Sequence, residues 1–153
     1  MISRLFNVII VGGLAFACTT IYTQSTAAPE VKCLADNIYF EAKNQSIVGQ
    51  IAVGNVTMNR MYSEHFPNTV CNVVWEPKQF SWTHDGKSDV PSNTKVYKEV
   101  YNIAKLVYNS NIPDVTEGAT FYHADYVNPH WAASMDKKVT QIDNHIFYKH
   151  RGR

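Results

Sequence analysis

An α+β domain, mainly helical and with its short strands at the C-terminal end, is the fold class this sequence predicts. Apolar residues recur at helical spacing in three segments, Val31–Lys43, Ile47–Tyr62 and Asn93–Ser110, and the strand-like runs come last. Helices followed by strands, without alternation, speak for α+β and not for a parallel α/β sheet. At 153 residues, with 45% apolar and 12% aromatic content, the chain has room for one domain with a real core. The net charge is +1, and no basic tract exceeds two residues before the tail Lys149–Arg153, so nucleic acid is not an expected partner.

The first segment is of another kind. After Arg4, the stretch Leu5–Tyr22 carries no charge and is rich in Val, Ile, Ala and Gly. With Ser25-Thr26-Ala27-Ala28 behind it, this reads as an export signal over residues 1–27, cleaved after Ala27, and leaves residues 28–153 as the mature domain. The run is about 18 residues, just long enough to cross a bilayer, so the alternative is a retained anchor touching the membrane through residues 5–22. Either way the domain is expected outside the cytoplasm, in the periplasm, the cell envelope or the medium. Export alters the reading of the cysteines, since only Cys33 and Cys71 remain after cleavage. A Cys33–Cys71 disulfide is expected, closing a loop of roughly 39 residues worth about 4 kcal/mol in the chain-entropy model. The alternative is two buried free thiols.

In the mature chain, Val31, Leu34, Ala35, Ile38 and Ala42 form one apolar stripe on a first helix. A second helix follows over Ile47–Tyr62, with Asn44 or Ser46 as cap and with Gly49 and Gly54 each weakening it by roughly 1 kcal/mol. From Phe66 to Pro91 the periodicity is lost, and Pro67-Asn68, Pro77 and Asp85-Gly86 mark turns in what is mostly loop, with room for a short helix or ribbon. Asn93–Ser110 is the clearest helix, through Val96, Val100, Ile103, Ala104 and Val107. Ala119–His123, Lys138–Ile142 and His145–Lys149 read as strands, the last two joined by Asp143-Asn144, a pair that tolerates positive φ in a tight hairpin.

Glu41 is out of place on its helix. At about 100° per residue it falls beside Leu34 and Ile38, at the edge of the stripe that should be buried. A partly desolvated carboxyl has a raised pKa and stays protonated nearer neutral pH, as a general acid requires. Periodicity alone leaves open a Glu that reaches solvent or pairs with Arg60.

Cys33-Leu34-Ala35 and Asn37-Ile38-Tyr39-Phe40-Glu41-Ala42, then Gly49-Gln50-Ile51-Ala52-Val53 and Asn59-Arg60, resemble the SleB-type cell wall hydrolases, the family of the spore cortex-lytic enzymes. The resemblance continues through Phe66–Cys71, Gln79-Phe80-Ser81-Trp82 and Tyr122–Pro129, and closes on His145-Ile146-Phe147. It implies a lysozyme-like domain that degrades peptidoglycan glycan strands as a lytic transglycosylase, without a cofactor, with Glu41 as its acid. Many relatives carry Gly-Glu where this chain has Asn44-Gln45, and Gly where it has Asp143. Gln79-Phe80-Ser81-Trp82 is also similar to a stretch of resuscitation-promoting lysozyme-like domains. By these resemblances Gln79, Ser81, Trp82, Tyr122, His123 and Asn128 are the expected substrate-binding set, with Trp82 or Tyr122 as a platform for a sugar face and Phe80 as a core anchor.

Glycosidases normally pair two carboxylates. Neither Asp36, on another helix face, nor Asp85, in a turn, matches the context of Glu41. A lytic transglycosylase needs no second carboxylate, because the substrate's own C6 hydroxyl captures the glycosyl centre. The six histidines form no zinc signature. His123 and His145 are expected to hydrogen-bond in or beside a cleft, and His65, His84 and His150 to lie on the surface. Tyr39, Tyr97, Tyr101 and Tyr108 are expected to pack between helices, and Asn55 and Asn59 to bind backbone. A monomer is expected. The rival readings are simple hydrolysis of the same bond, an N-acetylmuramoyl-L-alanine amidase, and a peptidoglycan-binding module without activity.

Overall fold

The computed structural model describes residues 12–135 and 137–149, with side chains for residues 27–135 and 138–149. Four α-helices come first: α1 (Gly12–Ala42), α2 (Ile47–Tyr62), α3 (Val70–Val74) and α4 (Thr94–Tyr108). Three strands follow, β1 (Phe121–Ala124), β2 (Lys137–Ile142) and β3 (His145–Lys149), with 3₁₀ turns at Ser81–His84 and His130–Ser134. All pairings in the sheet are antiparallel, in the order β1-β3-β2, with Tyr122 opposite Phe147 and Ala124 opposite His145. The α+β expectation holds, helices before strands.

The first helix is already formed at Gly12, far ahead of the predicted Val31, and carries Pro29 in its interior. The small and apolar residues ahead of Pro29 include no turn signal to stop it. The expected cleavage point after Ala27 falls within this helix, whereas residues 1–11 of the expected leader lie outside the described residues. Among the described residues no helix is long and apolar enough to cross a membrane.

α1 packs against α2, α3 and α4 and so is buried well beyond one stripe. Leu34, Ala35, Ile38 and Tyr39 lie in the core, and so do the polar Asp36 and Asn37. Burial demands partners for both. Asp36 accepts from the Tyr97 hydroxyl and Lys32 Nζ, each at 2.7 Å. Asn37 donates to Thr57 Oγ1 at 3.1 Å and accepts from the indole N–H of Trp82 at 3.0 Å.

α2 has the predicted bounds, and Ser46 caps it, accepting from Gly49 N at 3.1 Å. A second cap arrives from the β2–β3 hairpin. Asp143, at φ 49°, turns the hairpin and accepts at Oδ2 from both the amide and the hydroxyl of Ser46, each at 2.8 Å. A carboxylate at a helix N-terminus is favoured by the exposed N–H groups and the helix dipole. Gly49 makes room for it, because a Cβ there would collide with Asp143 Oδ2. Gly54 serves a helix crossing, since its Cβ would stand 3.0 Å from Ile38 Cδ1 and 3.4 Å from Val107. Both glycines are therefore close-approach positions in a regular helix. Asn55 and Asn59 bind backbone as expected, Asn55 accepting from Val115 N at 3.1 Å and Asn59 donating to Ala119 O at 3.0 Å.

The unpatterned stretch contains α3, whose start is capped twice. Thr69 accepts from Asn72 N at 3.2 Å, and Glu30 of α1 accepts at Oε2 from Val70 N at 2.6 Å and Cys71 N at 3.2 Å. Beside this cap the expected Cys33–Cys71 disulfide is formed, its Cα atoms 5.2 Å apart. α4 begins at its cap Asn93 and buries Val100, Ala104 and Val107. A second apolar cluster of Ala52, Val56, Ala119 and Phe147 joins α2 to the sheet.

Candidate active site

The end of α1, the segment from Lys78 to Asp89, strand β1 and the start of β3 surround a cleft of about 710 Å³. Glu41, the penultimate residue of α1, lines it. The Tyr122 hydroxyl, from β1, donates to Glu41 Oε2 at 2.8 Å. Burial raises the Glu41 pKa above its ordinary value of 4.5, and the Tyr122 hydrogen bond and the Arg60 charge offset part of that rise. The phenol is pushed well above its ordinary range, first by burial and then by the carboxylate beside it, so it remains a donor.

Arg60, near the end of α2, is buried at the cleft but makes no ion pair with Glu41. Its Nε donates to Thr120 O at 2.7 Å, and the guanidinium lies over Phe80, Phe66 and Phe121, 5.1, 5.3 and 5.7 Å from the ring centroids. Nη1 is buried without a hydrogen-bond partner. Arg60 therefore acts on Glu41 through space as a desolvated positive charge, held in place by three aromatic faces.

Of the expected substrate-binding residues, Gln79, Ser81, Trp82, Tyr122 and His123 all line the cleft with Glu41, and Asn128 does not. Asn128 is exposed beyond a turn, closed by Val127 N to Ala124 O at 2.9 Å, that follows β1. The expectation of a Trp82 sugar platform also needs revision. Trp82 is only 7% exposed, is stacked on Phe40 at 4.6 Å, meets Trp75 edge-on at 5.3 Å and spends its N–H on Asn37. It builds the cleft wall and offers no open face. Phe80 is a core anchor, as expected, at 2% exposure.

His123 engages both ring nitrogens, Nδ1 with Ala124 O at 2.8 Å and Nε2 with the Tyr148 hydroxyl at 3.1 Å. His145 departs from expectation: its Nδ1 is buried without a hydrogen-bond partner, its neighbours are the rings of Tyr122 and Phe147, and burial pulls its pKa below 6.5. His65 and His84 are exposed as expected, and His150 lies outside the described residues. Two further carboxylates, Asp85 and Asp89, line the cleft. Both are exposed, and Asp85 is tied to Lys87, with Nζ at 3.3 Å and the amide at 2.9 Å, which holds its pKa low. Lys43, Lys78 and Tyr126 also line the cleft, and no periodicity in the sequence marked them. Among the described residues no group of three His, Cys, Asp or Glu is placed to hold a metal ion.

A helix-borne carboxyl with a raised pKa, set in an open cleft of polar and aromatic groups, has the properties of a general acid placed to meet a substrate. Residues 44–148 match the family described as Cell Wall Hydrolase, and the chain belongs to that family. Glu41 lies just ahead of the matched stretch. The chain is similar to the spore cortex-lytic enzyme of Bacillus cereus, 31% identical over 121 residues, which covers 78% of this chain and 44% of that protein. It is similar likewise to the spore cortex-lytic enzyme of Bacillus subtilis strain 168, at 29% identity covering 77% and 37%. The chain thus spans less than half the length of these curated relatives. Among solved structures, the catalytic domain of the Bacillus cereus SleB protein aligns with a TM-score of 0.63 and 30% identity, covering 78% of this chain and 89% of that one. The catalytic domain of the germination-specific lytic transglycosylase SleB from Bacillus anthracis aligns with the same score and identity, covering 78% and 93%.

Proposed function

We propose that this domain cleaves the bond between N-acetylmuramic acid and N-acetylglucosamine in peptidoglycan as a lytic transglycosylase, with Glu41 serving as acid and then as base. The observation that carries the reading is the state of Glu41: burial favours its proton, and Tyr122 and Arg60 stand ready to stabilise the carboxylate left after that proton is given up. The protonated carboxyl donates to the glycosidic oxygen as that bond breaks. The carboxylate then takes the proton of the muramic acid C6 hydroxyl as its oxygen bonds C1, closing an anhydro ring without water. The likeness to a SleB catalytic domain described as a lytic transglycosylase supports this outcome. The substrate lies outside the cytoplasm, which agrees with a leader over residues 1–27 and a mature domain from residue 28 acting as a monomer in the cell envelope.

Asp85 and Asp89 in the same cleft favour one second reading, simple hydrolysis with one of them activating water. Mass spectrometry of fragments released from purified peptidoglycan separates the two. Transglycosylation gives anhydro-ended products lighter by one water than those of hydrolysis. Release of stem peptides with intact glycan strands would overturn both readings in favour of an amidase.

A further inference from the structure

We propose that Tyr126 is the sugar-stacking platform of the cleft, the open aromatic face against which a pyranose ring of the substrate strand lies; the proposal deepens the glycan reading above and rests on it. Among the described residues that line the cleft, Tyr126 is the one exposed Phe, Trp or Tyr, at 84% exposure. The others are already occupied. Phe40 and Trp82 are stacked on each other, Phe80 lies under the Arg60 guanidinium, and Tyr122 holds Glu41.

The backbone around Tyr126 is fixed on both sides. Asp125 N donates to Asn144 O at 2.8 Å and Val127 N to Ala124 O at 2.9 Å. Further along the same segment, Trp131 packs edge-on against His123 at 5.5 Å and Tyr148 at 5.8 Å. A ring that gains nothing from burial is thus carried on an anchored turn at the cleft that holds the acid. With only two side-chain torsions, a tyrosine loses little entropy on binding. A pyranose presents a face of C–H groups with partial positive charge, which suits the negative face of an aromatic ring. Such a contact reads the C–H face of the ring and not the lactyl carboxylate or the stem peptide, so the factor it adds to affinity should be insensitive to salt.

The experiment measures binding of peptide-free N-acetylglucosamine–N-acetylmuramic acid oligomers by isothermal titration calorimetry. It uses a Glu41→Gln parent, which should consume them at least about 100-fold more slowly. Adding Tyr126→Ala should weaken binding about ten-fold at both low and high salt, with the thermal midpoint unchanged, and adding Tyr126→Phe should keep affinity within about two-fold. Equal affinity of the parent and the Tyr126→Ala protein overturns the platform while leaving the glycan reading intact. Equal loss in the Phe and Ala proteins overturns it too, because the hydroxyl and not the ring face would then be the contact. A parent that binds no oligomer overturns the glycan reading and the platform together.

Discussion

Tyr122 and Glu41, 81 residues apart in sequence, meet through a 2.8 Å hydrogen bond in which the phenol donates and the carboxylate accepts. Burial alone would leave Glu41 a weak acid with an unstable anion. The phenol corrects this in part, stabilising the charged form that appears once the proton has left.

Replacing Glu41 by Gln should keep shape and packing and reduce strand cleavage by at least about 100-fold, as fragment release from cell wall would show. Stability should change in the opposite sense. A Glu whose folded pKa lies above its unfolded value is favoured by folding below the unfolded pKa, and that contribution is lost as pH rises through the folded pKa. The thermal midpoint of the Gln variant should therefore equal that of the wild type in acid, exceed it by a growing margin as pH rises from the unfolded to the raised folded Glu41 pKa, and keep that margin above it. A lower midpoint at neutral pH would mean that the carboxylate is a structural ion and not an acid in waiting.

Tyr122→Phe removes the donor and keeps the ring against His145 and Phe147. The Glu41 pKa should rise further, so the alkaline fall in activity should move to higher pH while turnover below it drops. The measurement is a pH–rate profile. The loss in stability should be about 1.5–3 kcal/mol where Glu41 is charged and smaller where it is protonated. An unmoved alkaline limb would show that Glu41 does not control it.

Gly49→Ala should destabilise the domain in denaturant unfolding, because the new methyl would meet Asp143 Oδ2 and stand 2.9 Å from Gln45 Cβ. Asp143→Gly should cost about 1 kcal/mol through the lost cap on Ser46. The two changes should be non-additive. The double variant should lie closer to Asp143→Gly than the sum requires, with part of the Gly49 penalty remaining against Gln45.

Reduction of Cys33–Cys71, or Cys71→Ser, should lower unfolding free energy by about 2–5 kcal/mol. The Glu30 cap and Thr69 remain, so the reduced protein should keep its far-ultraviolet helix signal at low temperature. Unfolding of α3 at low temperature would assign its order to the crosslink alone.

The helices were legible wherever one apolar face decided them: the bounds of α2 and its Ser46 cap match the periodicity. α1 was legible only in its amphipathic part, since nothing periodic marks the turns ahead of Val31. Glu41 could be found because a carboxyl beside Leu34 and Ile38 contradicts the stripe. Trp82 was misjudged, and the Arg60 partner left open, for one reason. Their environments come from distant chain, Thr120 for the arginine and Asn37 for the indole, and sequence spacing does not encode such pairings. Tyr126 stands within the turn closed by Val127 N and Ala124 O and lines the cleft, whereas Asn128 lies just past that turn and does not. Asp143 and Gln45, two of the positions where the chain departs from the pattern it resembles, both stand against Gly49.

The carboxylate of Glu30 sets how much of α1 can be removed before α3 feels the loss. By accepting from the first amides of α3 it fastens α1, one helical turn ahead of Cys33, to the segment that leads into the cleft wall. A peptidase that cuts after Ala27 leaves this fastening intact, whereas trimming only three residues further (28, 29 and 30) removes it. Truncation up to Pro29 should thus leave the start of α3 capped twice, and truncation past Glu30 should leave it to Thr69 alone.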